Sequence, residues 1–179
     1  MEIPTITTSR LTLRALNMED APAVFAYASD PDVTLFTHWS THTSMHDTRS
    51  FLHNIITSNI PVWGIEHKET NTIIGECGFV TIEHDRAELY YALARAQWNK
   101  GFGTEAVHAV LHIAFDLLNV PRIEAWIIAD NIASHRVAQK VGMQYQFMLP
   151  AHWYAHNKLY DTYIYTKEHH QPSAYKKSL

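Results

Sequence analysis

Polar and apolar residues along the first third of the chain repeat with two different periods. They alternate over residues 9–14, which predicts a half-buried strand. After Asn17 and after Ser44, apolar residues recur every three or four positions, and an aspartate stands three residues after each of these two positions. This capping-box pattern predicts two helices, the first of which should end at the Asp-Pro-Asp sequence of residues 30–32. The irregular polar segment between the helices, residues 33–43, is interpreted as a substrate-side loop.

Three apolar segments with the character of strands follow, over residues 61–66, 72–82 and 87–93. The connections between them are short and turn-like, which favours an antiparallel meander. Gly75 and Gly78 interrupt the middle segment, so we expect a bulge or a close backbone approach there.

The remainder of the chain alternates between strand and helix. A helical pattern with one apolar face follows the third strand and ends near residues 119–121, and a segment rich in Ile follows over residues 122–129. A strand–helix–strand order of this kind places its two strands parallel. One more helix over residues 131–142 and two closing strands, near residues 144–153 and 162–167, complete the pattern.

Together these elements predict one domain of the α/β (α+β) class over residues 1–168. Helices should flank a mixed, mostly antiparallel twisted sheet that contains a central parallel strand pair. The polar tail, residues 169–179, is expected to fray. A length of 179 residues agrees with a single domain.

Composition narrows the class of protein. The formal net charge of −4 argues against a general nucleic-acid binder. No apolar run approaches the roughly 20 residues of a membrane span, and the first residues lack the pattern of a signal peptide, so we expect a cytoplasmic protein that does not bind membranes. The single cysteine, Cys77, excludes an intrachain disulfide, and its apolar surroundings in the sequence predict a buried core thiol.

Thirteen histidines raise the question of a metal site. His38, His42 and His46 are spaced four residues apart, as are His108 and His112, but a metal site also needs further ligands such as carboxylates or thiolates. The first group lies in a polar segment without helical periodicity, and the second has no matching cluster. We therefore expect solvated or interfacial histidines and no metal.

The turn before the long helix, residues 97–106, contains two glycines and a lysine, Gly101, Gly103 and Lys100. Glycine lets the backbone turn tightly and approach a ligand without a Cβ in the way. The first amides of a helix lack internal partners and carry partial positive charge, so this turn suits an anion such as a pyrophosphate. The alternative interpretation of the same residues is a turn that needs glycine only for its backbone geometry and binds no anion.

Six segments together resemble the ribosomal-protein N-terminal acetyltransferase (RimJ/RimL-like) branch of the GNAT N-acetyltransferase superfamily. Residues 9–14 are similar to its opening strand, 19–20 to the start of its first helix, 87–91 to its fourth strand and 98–106 to its pyrophosphate loop. Residues 131–143 are similar to its second cofactor motif and 160–162 to its last strand. The resemblance covers nearly the whole chain, and it implies the GNAT fold and acetyl-CoA as cosubstrate.

The resemblance also implies how acetyl-CoA is bound. Backbone amides of the glycine turn would hold the pyrophosphate, the end of the preceding strand would pair with the pantetheine arm like an added strand, and the start of the last helix would contact the pantetheine and the sulfur. The implied cofactor-binding residues are Leu93, Ala94, Arg95, Lys100, Gly101, Phe102, Gly103, Thr104, Asn131 and Ser134.

The sequence departs from the family pattern at a catalytic position. Many relatives carry a tyrosine seven residues after the position of Asn131, where this chain has Ala138. Ser134 matches the serine of this branch and is the candidate for assisting the departing thiolate, although it also fits a residue that starts a helix. Glu88 is the first candidate for the general base and Glu76 the second. The structural alternative for Glu88 is a solvent-facing residue at the end of a strand, and the alternative for Glu76 is a charge paired with another group.

The acceptor is less defined by the sequence. The resemblance implies direct attack by a primary amine, so no covalent intermediate on Cys77 is expected. Five aromatic residues are candidates for an acceptor pocket and equally for the core: Trp39, Trp63, Trp153, Tyr154 and Tyr160.

The favoured function is acetylation of the N-terminal α-amine of a protein. A small-molecule amine acetyltransferase (for a polyamine, an amino acid or an aminoglycoside) and a noncatalytic acyl-CoA-binding protein are the alternatives. The chain is expected to act as a monomer or a homodimer.

Overall fold

A computed structural model of the chain describes residues 3–155 and 157–169. The strands within these residues are β1 (Ile6–Thr7), β2 (Leu11–Ala15), β3 (Val62–His67), β4 (Thr72–Ile82), β5 (Ala87–Leu93), β6 (Arg122–Ile128), β7 (Gln144–Ala155) and β8 (Lys158–Glu168). They form one sheet in the spatial order β1-β2-β3-β4-β5-β6-β8-β7. Neighbouring strands are antiparallel except β5 and β6, which run parallel. The predicted mixed sheet with a central parallel pair is therefore confirmed.

The helices within the same residues are α1 (Ala21–Ala28), α2 (Pro31–Thr34), α3 (Met45–Thr57), α4 (Phe102–Leu118) and α5 (Ile132–Lys140). Both capping boxes are confirmed, although Asn17 caps a single 3₁₀ turn that leads into α1. The prediction of an irregular segment after residue 32 is wrong in part, because α2 occupies its start. α1 ends at Ala28, and Asp30 caps α2, since its Oδ1 accepts a hydrogen bond from the Asp32 amide at 2.9 Å.

Two hydrophobic cores hold the sheet, one on each face. α4 and α5 cover one core, and α1 and α3 cover the other. Consecutive residues of β4 therefore belong to different cores: Cys77 packs with the α4 side, whereas Glu76 meets Tyr27 of α1. On α1, Tyr27 is fully buried and Phe25 is only partly so.

The expected close approaches in β4 are present. A Cβ at Gly75 would lie 2.2 Å from the Ala92 carbonyl oxygen, and one at Gly78 would lie 2.6 Å from the Pro61 carbonyl oxygen. The register of β4 with β5 shifts between Phe79 and Thr81, so the bulge lies just beyond the second glycine.

The closing hairpin is longer than the pattern predicted. β7 continues to Ala155 and β8 begins at Lys158, because Asn157 adopts a left-handed conformation (φ 59°) that allows a tight turn. Residue 156, between the two strands, and residues 170–179 of the predicted fraying tail lie outside the described residues. Within the part of the chain that the structure describes, no helix is long and apolar enough to cross a membrane.

Candidate active site

A cleft opens where the two parallel strands separate. β5 and β6 pair only at their first residues, Ala87 with Ile123 and Glu88 with Glu124. Beyond these pairs β5 and β6 no longer pair with each other, although each still pairs with its neighbour on the other side. The backbone groups of β5 and β6 that face each other therefore have no partner strand. The resulting cleft holds a cavity of about 80 Å³ and is open to solvent at its mouth. A concave site is thus built into the sheet itself.

The glycine turn beside this cleft has the geometry of an anion site. Gly101 is the N-cap of α4 with φ 82°, in the left-handed region that glycine adopts without strain. No side chain caps the helix, and the first bond of its ladder runs from the Glu105 amide to the Gly101 carbonyl at 3.1 Å. The amides of Phe102, Gly103 and Thr104 precede this bond and lack ladder partners. Lys100 adds a full positive charge next to them. These features fit a pyrophosphate.

The segment between β5 and the turn differs from the expected direct strand-to-helix junction. A 3₁₀ turn, Arg95–Gln97, intervenes. The Trp98 indole donates to the Leu93 carbonyl at 2.8 Å. The Gln97 and Trp98 amides donate to the carbonyls of Ala94 and Arg95. The carbonyls of Leu93, Ala94 and Arg95, the residues expected to pair with the pantetheine arm, therefore already accept protein hydrogen bonds, and pairing through them would have to share these oxygens.

Glu105 and Arg10 fasten the anion turn to the start of the sheet, and sequence reasoning missed their pairing. The Glu105 carboxylate accepts hydrogen bonds from the hydroxyls of Thr8 (2.6 Å) and Ser9 (2.9 Å) and from the Arg10 amide and guanidinium. Arg10 Nη1 also donates to the Lys100 carbonyl at 2.9 Å. Burial alone would raise the pKa of Glu105, but these hydrogen bonds lower it to about 2.

The second glycine of the turn serves packing. A Cβ at Gly103 would lie 3.0 Å from Cε2 of Tyr91 and 3.5 Å from a methyl carbon of Leu93. Gly103 is itself buried, and its missing side chain makes room for the Tyr91 ring of β5. A side chain at residue 103 would therefore meet β5.

The start of α5 brings Ser134 to the cleft. Asn131 caps the helix, because its Oδ1 accepts from the Ser134 amide at 3.2 Å, and both residues line the cleft. Ser134 Oγ lies 3.1 Å from the Tyr91 hydroxyl. Ala138 is only 3% exposed and belongs to the core under α4, so a tyrosine at this position would have to displace core side chains.

The two candidate bases have different surroundings. Glu88 lines the cleft, and burial raises its pKa, partly opposed by the charge of Arg86. Glu76 is fully buried and is not among the residues that line the cleft. Burial raises the pKa of Glu76 to about 8, although a hydrogen bond from the Tyr27 hydroxyl at 3.0 Å acts against the rise.

His38, which the sequence brought forward only as part of a possible metal site, is a further cleft residue with acid–base chemistry. Its ring packs edge-on against Tyr90, with the centroids 4.7 Å apart, and both residues line the cleft. Burial lowers the pKa of His38, so its imidazole is neutral near pH 7. Its position in a loop without periodicity gave no signal of an acid–base role.

The five aromatic candidates for the acceptor pocket lie in different parts of the structure. Trp39 and Trp153 line the cleft. Trp63 is a core residue with no exposed surface, and its indole donates to the Pro4 carbonyl at 2.8 Å. Tyr154 is 67% exposed, and Tyr160 is partly buried and is not among the lining residues. Phe36 and Trp126 are cleft residues that the sequence did not reveal.

Cys77 is fully buried in the core, and burial raises the pKa of its thiol, so a reactive thiolate is not formed near neutral pH. Among the described residues, no three His, Cys, Asp or Glu side chains form a group that could hold a metal ion.

Comparison with known proteins agrees with this architecture. The family model described as an acetyltransferase (GNAT) domain matches residues 10–144. The chain is 34% identical over 168 residues to the uncharacterized N-acetyltransferase p20 of Bacillus licheniformis, which covers 90% of this chain and 94% of that protein.

Two solved structures have the same fold. An acetyltransferase (GNAT family) from Bacillus anthracis superposes with a TM-score of 0.84 at 25% identity, over 92% of this chain and 98% of that one. The ribosomal L7/L12 α-N-protein acetyltransferase RimL, solved with coenzyme A, superposes equally well, with a TM-score of 0.84 at 20% identity over the same two shares. The chain belongs to the GNAT acetyltransferase family, and it is an acyltransferase that uses acetyl-CoA as its acetyl donor.

Proposed function

We propose that the chain transfers the acetyl group of acetyl-CoA to the N-terminal α-amine of a protein. The observation that supports this acceptor most directly is the charge of the cleft. Among the described residues that line it, Glu88 is the one acidic side chain, and no lysine or arginine is present. The rest of the lining is mostly apolar or aromatic, so the cleft suits an acceptor with one positive charge and an otherwise uncharged body.

The other acceptor classes match this charge less well. Polyamines and aminoglycosides carry several ammonium groups, and one carboxylate leaves the others without a partner. A free amino acid brings a carboxylate that would need a cation in the cleft. A protein N-terminus carries one ammonium next to a neutral peptide. The solved neighbour RimL is named an α-N-protein acetyltransferase, which is consistent with this class.

Glu88 is the proposed general base. An α-ammonium has a pKa of about 8, against about 10.4 for a lysine side chain, so a carboxylate of raised pKa, acting directly or through water, suffices to remove its proton. Glu76 suits this role less well, because it is fully buried and its pKa of about 8 leaves it mostly protonated near neutral pH. The neutral imidazole of His38 in the same cleft makes it a second candidate base.

The donor site is proposed at the start of α4 and along the end of β5. The amides of Gly101, Phe102, Gly103 and Thr104, together with Lys100, would bind the pyrophosphate. Leu93, Ala94 and Arg95 would contact the pantetheine arm, and strand amides that face the cleft are available to the carbonyl oxygen of the acetyl group.

At the far side of the cleft, Ser134 is proposed to donate a hydrogen bond to the departing sulfur. Asn131 holds the helix start that carries this serine.

An acceptor panel with thiol release as the readout tests the proposal. One peptide is supplied with a free N-terminus and the same peptide with a blocked N-terminus, both containing an internal lysine; spermidine, an aminoglycoside and a free amino acid complete the panel. We expect thiol release with the unblocked peptide and, by mass spectrometry, acetyl on its N-terminal residue. Faster turnover of a small amine, or acetylation of the internal lysine in both peptides, would contradict the acceptor assignment. Acetyl-CoA binding without thiol release from any acceptor would favour the noncatalytic alternative.

A further inference from the structure

Two hydroxyl groups from distant parts of the chain meet in the cleft. Tyr91 comes from β5 and Ser134 from the first turn of α5, and their oxygens lie 3.1 Å apart. Both residues line the cleft in which acetyl transfer is proposed. The Ser134 hydroxyl, which is proposed to face the departing sulfur, therefore has the Tyr91 hydroxyl as a hydrogen-bond partner.

Packing on each side fixes this pair. The Tyr91 ring lies over Gly103, where a Cβ would approach its Cε2 to 3.0 Å, so the anion turn and the ring are in direct contact. The Ser134 amide is bonded to the Asn131 side chain, which fixes the backbone that carries the hydroxyl.

We infer that Tyr91 is a positioning residue for acetyl transfer, which donates its phenolic hydrogen bond to Ser134 Oγ and so directs the Ser134 proton to the sulfur that leaves. This inference rests on the role proposed for Ser134. A serine hydroxyl has one proton and can accept two hydrogen bonds. When Tyr91 occupies an acceptor site of Ser134, the serine proton remains available to another acceptor. Donation by the phenol also polarises the serine O–H and strengthens its outgoing hydrogen bond.

The reaction balances without a proton from Tyr91. The amine nitrogen forms the bond to the acetyl carbon, the carbon–sulfur bond breaks, and its electron pair goes to sulfur. The amine proton leaves through Glu88, and the thiolate takes a proton from solvent. Burial raises the pKa of Tyr91 to about 12, far above the ordinary value of about 8.5 for a thiol, so Tyr91 keeps its proton and acts only as a hydrogen-bond donor.

Tyr91→Phe is the informative variant, because it keeps the ring that packs on Gly103 and removes only the hydroxyl. With acetyl-CoA and the unblocked peptide, we expect kcat to fall roughly 5- to 50-fold, as for the loss of one hydrogen bond that strengthens with charge. The affinity for coenzyme A should be unchanged. Because the phenol does not titrate below pH 9, the loss should be the same at pH 6 and pH 9.

Two further variants separate this role from a structural one. If Tyr91 acts through Ser134, the double variant Tyr91→Phe/Ser134→Ala should be no slower than Ser134→Ala alone. Tyr165→Phe is the matched control: the Tyr165 hydroxyl lies 3.1 Å from Nδ1 of His135, also on α5, and Tyr165 does not line the cleft. This control should retain the wild-type kcat.

Different results would reject different steps. A Tyr91→Phe variant with wild-type kcat, beside a slow Ser134→Ala variant, would overturn the positioning role and leave the proposed function intact. Additive losses in the double variant, or weaker binding of coenzyme A by Tyr91→Phe, would indicate a structural role and also overturn it. A Ser134→Ala variant as fast as wild type would remove the role of Ser134 and this inference together.

Discussion

Gly101→Ala isolates the backbone geometry of the anion turn. A Cβ at this position would lie 3.4 Å from Arg10 Nη2, an ordinary contact, so steric space is not the obstacle. The obstacle is the φ of 82°, because an alanine in the left-handed region is less stable by about 1–2 kcal/mol. Alanine also restricts the unfolded chain, which offsets about 0.4–1 kcal/mol of this strain. The net effect should be about 1 kcal/mol.

This strain can appear in either of two measurements. If the free turn keeps its geometry, the free energy of unfolding falls by the whole amount and the affinity for coenzyme A is unchanged. If the free turn relaxes, stability is retained or slightly raised, and the dissociation constant carries the whole strain and rises by about 5- to 30-fold. The change in unfolding free energy from urea denaturation and the change in binding free energy from calorimetric titration should therefore add up to a net loss of about 1 kcal/mol.

Asparagine provides a matched control, because it tolerates the left-handed region and the chain already uses it there at Asn99 (φ 59°) and Asn119 (φ 53°). Gly101→Asn should lose less stability and less affinity for coenzyme A than Gly101→Ala. Wild-type stability and wild-type affinity in the alanine variant would refute the claim that this turn needs its left-handed residue.

Three other substitutions test the chemistry and the core. Glu88→Gln should lower kcat about 100- to 10,000-fold at unchanged coenzyme A affinity, whereas His38→Asn should keep most of the rate; the opposite order would make His38 the base. Cys77→Ala should retain kcat and lose ~1 kcal/mol of stability from the core, and an acetylated Cys77 with ping-pong kinetics would disprove direct transfer. Because folding raises the pKa of Glu76 from 4.5 to about 8, its proton stabilises the wild type fully below pH 4.5, and this contribution is lost as the pH rises to 8. Glu76→Gln should therefore show a smaller fall in urea midpoint between pH 5 and pH 9, and equal falls would contradict the assignment.

Local signals in the sequence were sufficient for most of the fold. The capping boxes at Asn17 and Ser44 placed two helix starts, because the cap and its partner are three residues apart and act within one turn. The strand–helix–strand order around α4 predicted the parallel pair, since the handedness of such crossovers leaves few alternatives. The glycine turn could also be recognised in the sequence, since only the backbone conformation that glycine allows had to be interpreted.

Contacts between distant segments could not be predicted in the same way. Glu105 binds Arg10 across 95 residues, and Ser134 meets Tyr91 across 43 residues, so no spacing along the chain indicates either pair. The sequence named Ser134 as a candidate but could not supply its partner.

The burial of β4 explains why the two carboxylates were hard to rank from sequence. Its residues from Ile73 to Phe79 are buried on both faces of the sheet, so polar and apolar positions do not alternate and the pattern does not indicate where Glu76 points. β5 does alternate in burial along its first residues, with Glu88 half-buried between Ala87 and Leu89. The aromatic residues were ambiguous for a related reason, because tryptophan serves a core and a cleft wall equally well.

Hydrogen–deuterium exchange with and without coenzyme A tests the central claim most directly, that the donor is held at the start of α4 and along the end of β5. The first amides of α4 lack ladder partners in the free protein and should exchange quickly. Binding should slow exchange most in residues 99–106 and 89–95 and leave the turn between β7 and β8 unchanged. Protection confined to other segments, with residues 99–106 exchanging as fast as in the free protein, would contradict this donor site.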